Sequence, residues 1–272
     1  PMVIFASIAN VSVARLFVGG VIPGVLMGLY LMAVAYVVAR RRGYGREPQR
    51  SLRELGRAFL QAIPPLMAPV IIMGGILGGV FTPTEAAVVT SVYACALGLW
   101  YRELKWRDLP RILGKVLVTT SVVLFIVAAS SLMGWLLALE RVPQMLMGGF
   151  LAISTNPWVI LAIINVLLLI LGCLMDSIPI LIILVPVFSP LIMKLGIDPI
   201  HFGVVMVLNL MIGLLTPPVG MVMYVTCSIS GVSIKDFSRE CWPMILALIA
   251  VLAMITFYPP LVVWLPNLIL GQ

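Results

Sequence analysis

The stretch "GLLTPPVG" (residues 213–220) places two glycines, a threonine and two adjacent prolines inside an uncharged run that extends from residue 202 to residue 234. In an α-helix each N–H bonds the carbonyl four residues earlier, and Pro217 and Pro218 have no N–H to give. The carbonyls of Gly213 and Leu214 are therefore expected to lack their usual donors. Unsatisfied backbone is costly in hydrocarbon, so such a break persists only where it is buried in protein or lines a cavity. Gly213 admits close approach of another group, and Thr216 adds a hydroxyl oxygen. Carbonyls and a hydroxyl are hard oxygen ligands, a set suited to a cation such as Na⁺. A plain proline kink is the other reading of these residues.

A second interruption lies in "LLLILGCLMDSIPILIILVPVFSP" (residues 167–190). The apolar helix is expected to stop at Gly172 and resume after Pro179, with Asp176 and Ser177 between. Asp or Ser ahead of Pro is a helix-start signal, so a second, short helix is expected from about Ile178, limited by Pro186 and Pro190. Asp176 is the only acid between Glu140 and Asp198. A carboxylate isolated in an apolar stretch is a functional candidate by default; an exposed loop at a membrane surface is the alternative. The first-turn N–H groups after Ser177 are placed to meet a carboxylate ligand, and the freed carbonyls a cation.

Two further polar clusters have structural explanations. In "GGVFTPTEAA" (residues 78–87), Thr82 or Thr84 reads as a helix cap with Glu85 in the first turn. His201 in "GIDPIHFG" reads as a loop residue beside Asp198 at a helix start. Zinc HExxH, phosphate-cradling GxxxxGKS and GxSxG nucleophile motifs are not seen, which argues against an enzyme.

The elements that must position these residues are membrane helices. Hydrophobic residues make up 62% of the 272 and charged ones 10%, and several uncharged runs exceed the ~20 residues needed to cross a bilayer. The sequence predicts an all-α polytopic membrane protein. Of 17 basic residues, 12 fall within residues 40–57 and 102–115. Lys and Arg beside spans mark cytoplasmic loops and attract anionic headgroups, so the net charge of +7 does not call for nucleic acid. The four cysteines lack metal-ligand spacing and read as reduced packing residues. Around the basic stretch, Leu52, Leu55, Phe59 and Leu60 are spaced for an amphipathic interfacial helix; a solvated basic loop is the alternative.

The chain also repeats itself. Met2, Val3, Val11, Ser12 and Pro23 match Met221, Val222, Val232, Ser233 and Pro243 at offsets of 219 to 221 residues. A repeat of that period leaves most of its first unit outside this chain. With both basic loops inside, residues 16–39 run inward, 61–80 and 86–101 join the loops, and 116–139 exit. If 158–193 is a re-entrant hairpin and 199–230 crosses once, Lys235 and Arg239 lie opposite to Arg15, which makes the two units inverted. Inverted units with broken helices at their interface are a transporter architecture.

Taken in order and spacing, "PMVIFA", "GGVFTPTEAA", "GCLMDSIPILIILVPVFSP" and "GIDPIHFGVVMVLNLMIGLLTPPVG" resemble the large membrane subunit of tripartite ATP-independent periplasmic (TRAP) transporters, over essentially the whole chain. The resemblance implies a Na⁺-driven secondary transporter of the bacterial inner membrane importing organic anions of the C4-dicarboxylate or sialic acid type. It implies a small membrane subunit, separate or fused, and a periplasmic substrate-binding protein as partners. It implies an elevator fold, with residues 1–47 and 142–272 in the transport domain and 48–141 as amphipathic arm and scaffold. By similarity, a cation site falls on Gly172, Gly213, Thr216 and the carbonyl of Val219. Asp176, Ser177, Pro217 and Gly220 fall along the substrate or ion path, and the first hairpin and first cation site fall in the missing half. A single-component ion-coupled carboxylate transporter of related fold is the runner-up, ahead of a channel or structural subunit.

Overall fold

A computed structural model describes residues 1–43 and 51–271. Arg46 and Arg50 of the first basic stretch, and the expected boundary between residues 47 and 48, lie outside the described residues. The chain is an all-α polytopic membrane protein. Among the described residues six segments are long and apolar enough to cross a membrane: Val13–Arg41, Leu52–Leu77, Trp106–Leu137, Pro157–Leu174, Ser177–Lys194 and Ile234–Phe257.

The chain divides into two compact units, Pro1–Arg42 with Ile126–Gln272, and Gly43–Phe125. The first unit opens with α1 (Met2–Ala9), α2 (Val13–Gly19) and α3 (Val21–Arg41). The second contains α4 (Leu52–Leu77), α5 (Pro83–Trp100) and the start of α6 (Leu109–Leu139). The first unit resumes within α6 and continues through α7 (Val142–Ile153), α8 (Pro157–Leu174), α9 (Ser177–Lys194), α10 (Pro199–Gly213), α11 (Met221–Ser230), α12 (Ile234–Phe257) and α13 (Pro260–Leu270).

In the second unit α4 packs on α5, and Tyr93 donates to the Pro64 carbonyl at 2.8 Å. Leu52, Leu55, Phe59 and Leu60 are exposed, as an interfacial stretch requires, but they open α4 rather than form a separate helix. The helix continues through Pro64, Pro65 and Pro69 to Leu77. Thr82 is the cap of α5: it accepts from the Glu85 N–H at 3.3 Å, while Glu85 Oε2 accepts from the Thr82 N–H at 2.8 Å. The backbone bond from Thr82, reinforced by its hydroxyl, holds the Glu85 carboxyl below its ordinary range. With its polar first turn, α5 is not among the six segments apolar enough to span.

The core of the first unit is built around α10, whose sequence is apolar on every face. A helix of that kind must be surrounded, and all its residues but Pro199 and Met211 are buried. It packs on α8, α12, α1, α2 and α9. A run of aromatic contacts crosses this core from Phe5 to Phe202 (6.3 Å between centroids), Phe188 (6.2 Å) and Phe150 (6.1 Å).

The internal repeat is present in the backbone. α1 ends at Asn10 in the left-handed conformation (φ 54°), and Ser12 caps α2 by accepting from Arg15 N–H. Correspondingly, α11 ends at left-handed Gly231 (φ 70°), and Ser233 caps α12 by accepting from Asp236 N–H. The repeat partners α3 and α12 pack together. The C-terminal end of α3 meets the N-terminal part of α12, joined by an Arg42–Glu240 ion pair at 2.6 Å, so the two run antiparallel. That is the relation an inverted repeat produces.

Candidate functional site

The end of α8 and the break after α10 form one junction. α8 stops because Met175 is extended (φ −134°, ψ 161°). α10 starts on Pro199 at N1, with Asp198 Oδ1 accepting from the Ile200 and His201 N–H groups at 2.7 and 3.2 Å. It ends in a tightened turn in which Leu215 N–H bonds Ile212 and Thr216 N–H bonds Gly213. The Pro217–Pro218 peptide is cis, and the chain leaves the turn through Gly220 at φ +29°. There a Cβ would lie 2.9 Å from the Thr216 carbonyl and 3.0 Å from that of Leu214, so only glycine fits without strain.

Gly172 and Gly213 lie backbone against backbone. A Cβ on Gly213 would come within 2.7 Å of both the Cα and the carbonyl carbon of Gly172. The Cys173 carbonyl accepts from Val219 N–H at 3.1 Å and from Gly220 N–H at 3.2 Å. The structure thus brings Gly172, Gly213, Val219 and Gly220 together, with Thr216 and Pro217 on the intervening turn. The Cys173 carbonyl that joins the two interruptions carries no side-chain signal in the sequence, and only the neighbouring Gly172 pointed to this place.

Two details of the expected chemistry are corrected. The carbonyls of Gly213 and Leu214 are not left without donors: Gly213 accepts from Thr216 N–H (2.9 Å), and Leu214 from Val222 N–H (3.2 Å). The tightened last turn supplies the donor to Gly213, and the chain folding back after the prolines supplies the donor to Leu214. A carbonyl has two lone pairs, and one on each remains for a ligand. Thr216 Oγ1 donates its only proton to the Ile212 carbonyl at 2.8 Å. What the hydroxyl offers elsewhere is lone pairs, the donor character that a hard cation requires. Among the described residues no group of three or more His, Cys, Asp and Glu is placed to hold a metal ion.

Asp176 and Ser177 stand at the start of α9, two residues past the end of α8. Asp176 is the N-cap of α9, accepting from Ser177 N–H at 2.6 Å and Ser177 Oγ at 3.3 Å. The Ser177 amide is therefore engaged by the chain's own carboxylate, and the first-turn amides that follow it are a separate set. Neither residue bonds the 213–220 turn. The helix they open is not short: α9 runs through both Pro186 and Pro190 to Lys194. Its prolines remove one bond each, and burial of Ile180, Leu181, Val185, Phe188 and Leu191 holds the helix together around them. His201 is not a loop residue either. It sits in the first turn of α10, 1% exposed, with Nε2 2.8 Å from the Ile255 carbonyl.

Sequence reasoning also missed a buried polar chain among Asn165, Asn209 and Thr256. Polar residues within apolar runs were the available signal.

Comparison with known proteins places these features in a wider group. The family model described as "Tripartite ATP-independent periplasmic transporter, DctM component" matches residues 1–261. The chain is 43% identical over 272 residues to the sialic acid TRAP transporter large permease protein SiaM of Vibrio cholerae serotype O1, covering 100% of this chain and 64% of that protein. It is 40% identical over 267 residues to the C4-dicarboxylate TRAP transporter large permease protein DctM of Pseudomonas aeruginosa, covering 98% of this chain and 62% of that one. It is 36% identical over 264 residues to the 2,3-diketo-L-gulonate TRAP transporter large permease protein YiaN of Escherichia coli, covering 97% and 62%. The chain spans somewhat under two thirds of the length of these relatives.

Proposed function

Because the chain belongs to the DctM component family of tripartite ATP-independent periplasmic transporters, whose members are transport components and not enzymes, we propose that it forms the second-repeat part of a Na⁺-driven permease for organic anions. The substrate is of the C4-dicarboxylate or sialic acid type. A periplasmic binding protein delivers it, and a small membrane subunit, separate or fused, completes the assembly in the bacterial inner membrane. Segments 1–47 and 142–272 carry the site, and 48–141 serve as scaffold in an elevator-type cycle.

The observation that supports the cation reading best is the junction of Gly172, Gly213 and Thr216. Two backbones touch there, and the one hydroxyl has its proton already engaged by Ile212. Such an arrangement presents oxygen lone pairs to a ligand at the edge of the apolar core. When bound, Na⁺ supplies positive charge that favours an anion nearby and couples its entry to the ion gradient. The chain's own part is to hold the oxygens and to exclude water.

Thr216→Val keeps the side-chain shape and removes the hydroxyl. Losing a hydrogen-bond-type contact to a charged group costs about 1.5–3 kcal/mol, which corresponds to roughly ten- to a hundredfold in affinity. The expected result in proteoliposomes is a rise of that size in the Na⁺ concentration giving half-maximal uptake, with little change in unfolding temperature. An unchanged Na⁺ dependence would remove Thr216 from the site.

A further inference from the structure

Three polar side chains interlock in the apolar core beside the junction. Asn209 of α10 is fully buried and donates from Nδ2 to the backbone carbonyl of Asn165 at 2.9 Å and to Asn165 Oδ1 at 2.8 Å. Asn165 of α8 donates onward from Nδ2 to Thr256 Oγ1 at 2.9 Å, and Thr256 of α12 donates to the Leu252 carbonyl at 2.7 Å. The donors run in one direction from α10 through α8 to α12. At the head of the chain Asn209 Oδ1 is buried without a partner.

Stability alone does not account for this arrangement. A buried amide oxygen without a donor is destabilising, and a well-packed pair of leucines would avoid the penalty. The position of the network is informative. Asn209 is one helical turn before Gly213 on α10, and Asn165 is two turns before Gly172 on α8. The α8–α10 seam is thus pinned at two places, by the Asn165–Asn209 bonds and by the Gly172–Gly213 contact. Glycine contact sets only how closely the helices approach, since smooth backbones can slide. The directional amide bonds set how far one helix is displaced along the other.

We infer that Asn209 is a positioning residue for the cation site. Latched to Asn165, it fixes the axial register of α10 against α8 and so the spacing of the oxygens at Gly172, Gly213 and Thr216. The inference rests on the cation reading proposed above. Ligand sets of this kind must be held within about 0.5 Å of their productive geometry, and a slip of α10 along α8 exceeds that tolerance.

The test uses the full-length transporter in two assays. One is the Na⁺-dependent rise in unfolding temperature of the purified protein, with choline as the control cation. The other is Na⁺ half-saturation of uptake in proteoliposomes. Asn209→Leu is expected to raise the apparent Na⁺ constant about tenfold in both, leaving the anion half-saturation at saturating Na⁺ unchanged. The double variant Asn165→Leu/Asn209→Leu replaces both partners and restores packing, yet lacks the latch. It is expected to match the wild-type unfolding temperature without Na⁺ while keeping the raised Na⁺ constant. A double variant with wild-type Na⁺ affinity, or loss of folding in both variants, makes the network purely structural and overturns the inference. Thr216→Val separates the two readings. If it weakens Na⁺ binding and the asparagine variants do not, the positioning role fails alone; if none does, the cation site fails with it.

Discussion

Gly213→Ala is expected to abolish coupled uptake, with an effect much larger than that of Gly172→Ala. The added Cβ at residue 213 would lie 2.7 Å from the Cα and carbonyl carbon of Gly172 and 3.1 Å from its carbonyl oxygen. All three are backbone atoms, so no side chain can swing aside, and α8 must move away from α10. A Cβ on Gly172 has more room, 3.3 Å from the Gly213 Cα and 3.5 Å from the Leu210 Cα. Overpacking typically destabilises by about 1–3 kcal/mol. The functional loss should exceed what that figure suggests, because the displaced residues carry the oxygens proposed to hold the cation. The amides of Val219 and Gly220 would also lose their shared acceptor at Cys173. Unfolding temperature and Na⁺-dependent uptake measured for both alanine variants check the asymmetry. Equal, mild effects would mean that α8 and α10 do not touch at these glycines in the working protein.

The second large effect is expected at Asp176. Asn and Asp are nearly equivalent as N-caps, so Asp176→Asn keeps the bond from Ser177 N–H that opens α9 and removes the negative charge. Assembly and thermal stability should stay close to wild type, while uptake falls at least tenfold, the order of effect expected from losing a functional charge at membrane depth. A control, Asp176→Ala, removes both cap and charge and should lose about 0.5–2 kcal/mol of stability as well. Normal transport by the Asn variant would reduce Asp176 to a helix cap. The contrast matters because the structure assigns Asp176 a capping bond, and capping alone would explain its presence.

What could be read from sequence was the local chemistry. Thr82 and Glu85 close their reciprocal cap, and Asp176 starts α9. Each involves residues within three positions of one another, where side-chain preference decides the outcome. The repeat was visible because matching residues such as Met2 and Met221, and Ser12 and Ser233, recur at a nearly constant offset. Features set by distant partners were not legible. The Leu214 carbonyl finds its donor eight residues later at Val222, and that depends on how the proline turn folds back. His201 is buried because Ile255 lies over it. Asn165 and Asn209 meet across the α8–α10 seam, and neither residue forecasts the other. Pro186 and Pro190 are tolerated within α9 because the core encloses that helix, a tertiary effect that overrides local propensity.

The central claim is that the junction at Gly172, Gly213 and Thr216 couples Na⁺ to anion movement. It is tested most directly by loading proteoliposomes that contain the full-length transporter with its partner proteins, and following uptake of labelled succinate and labelled sialic acid. An inward Na⁺ gradient should drive accumulation of one of these anions above its external concentration. Replacing Na⁺ with K⁺, or collapsing the gradient with a Na⁺ ionophore, should stop it. Accumulation that proceeds unchanged without a Na⁺ gradient, or that follows a proton gradient instead, would contradict Na⁺ coupling at this junction.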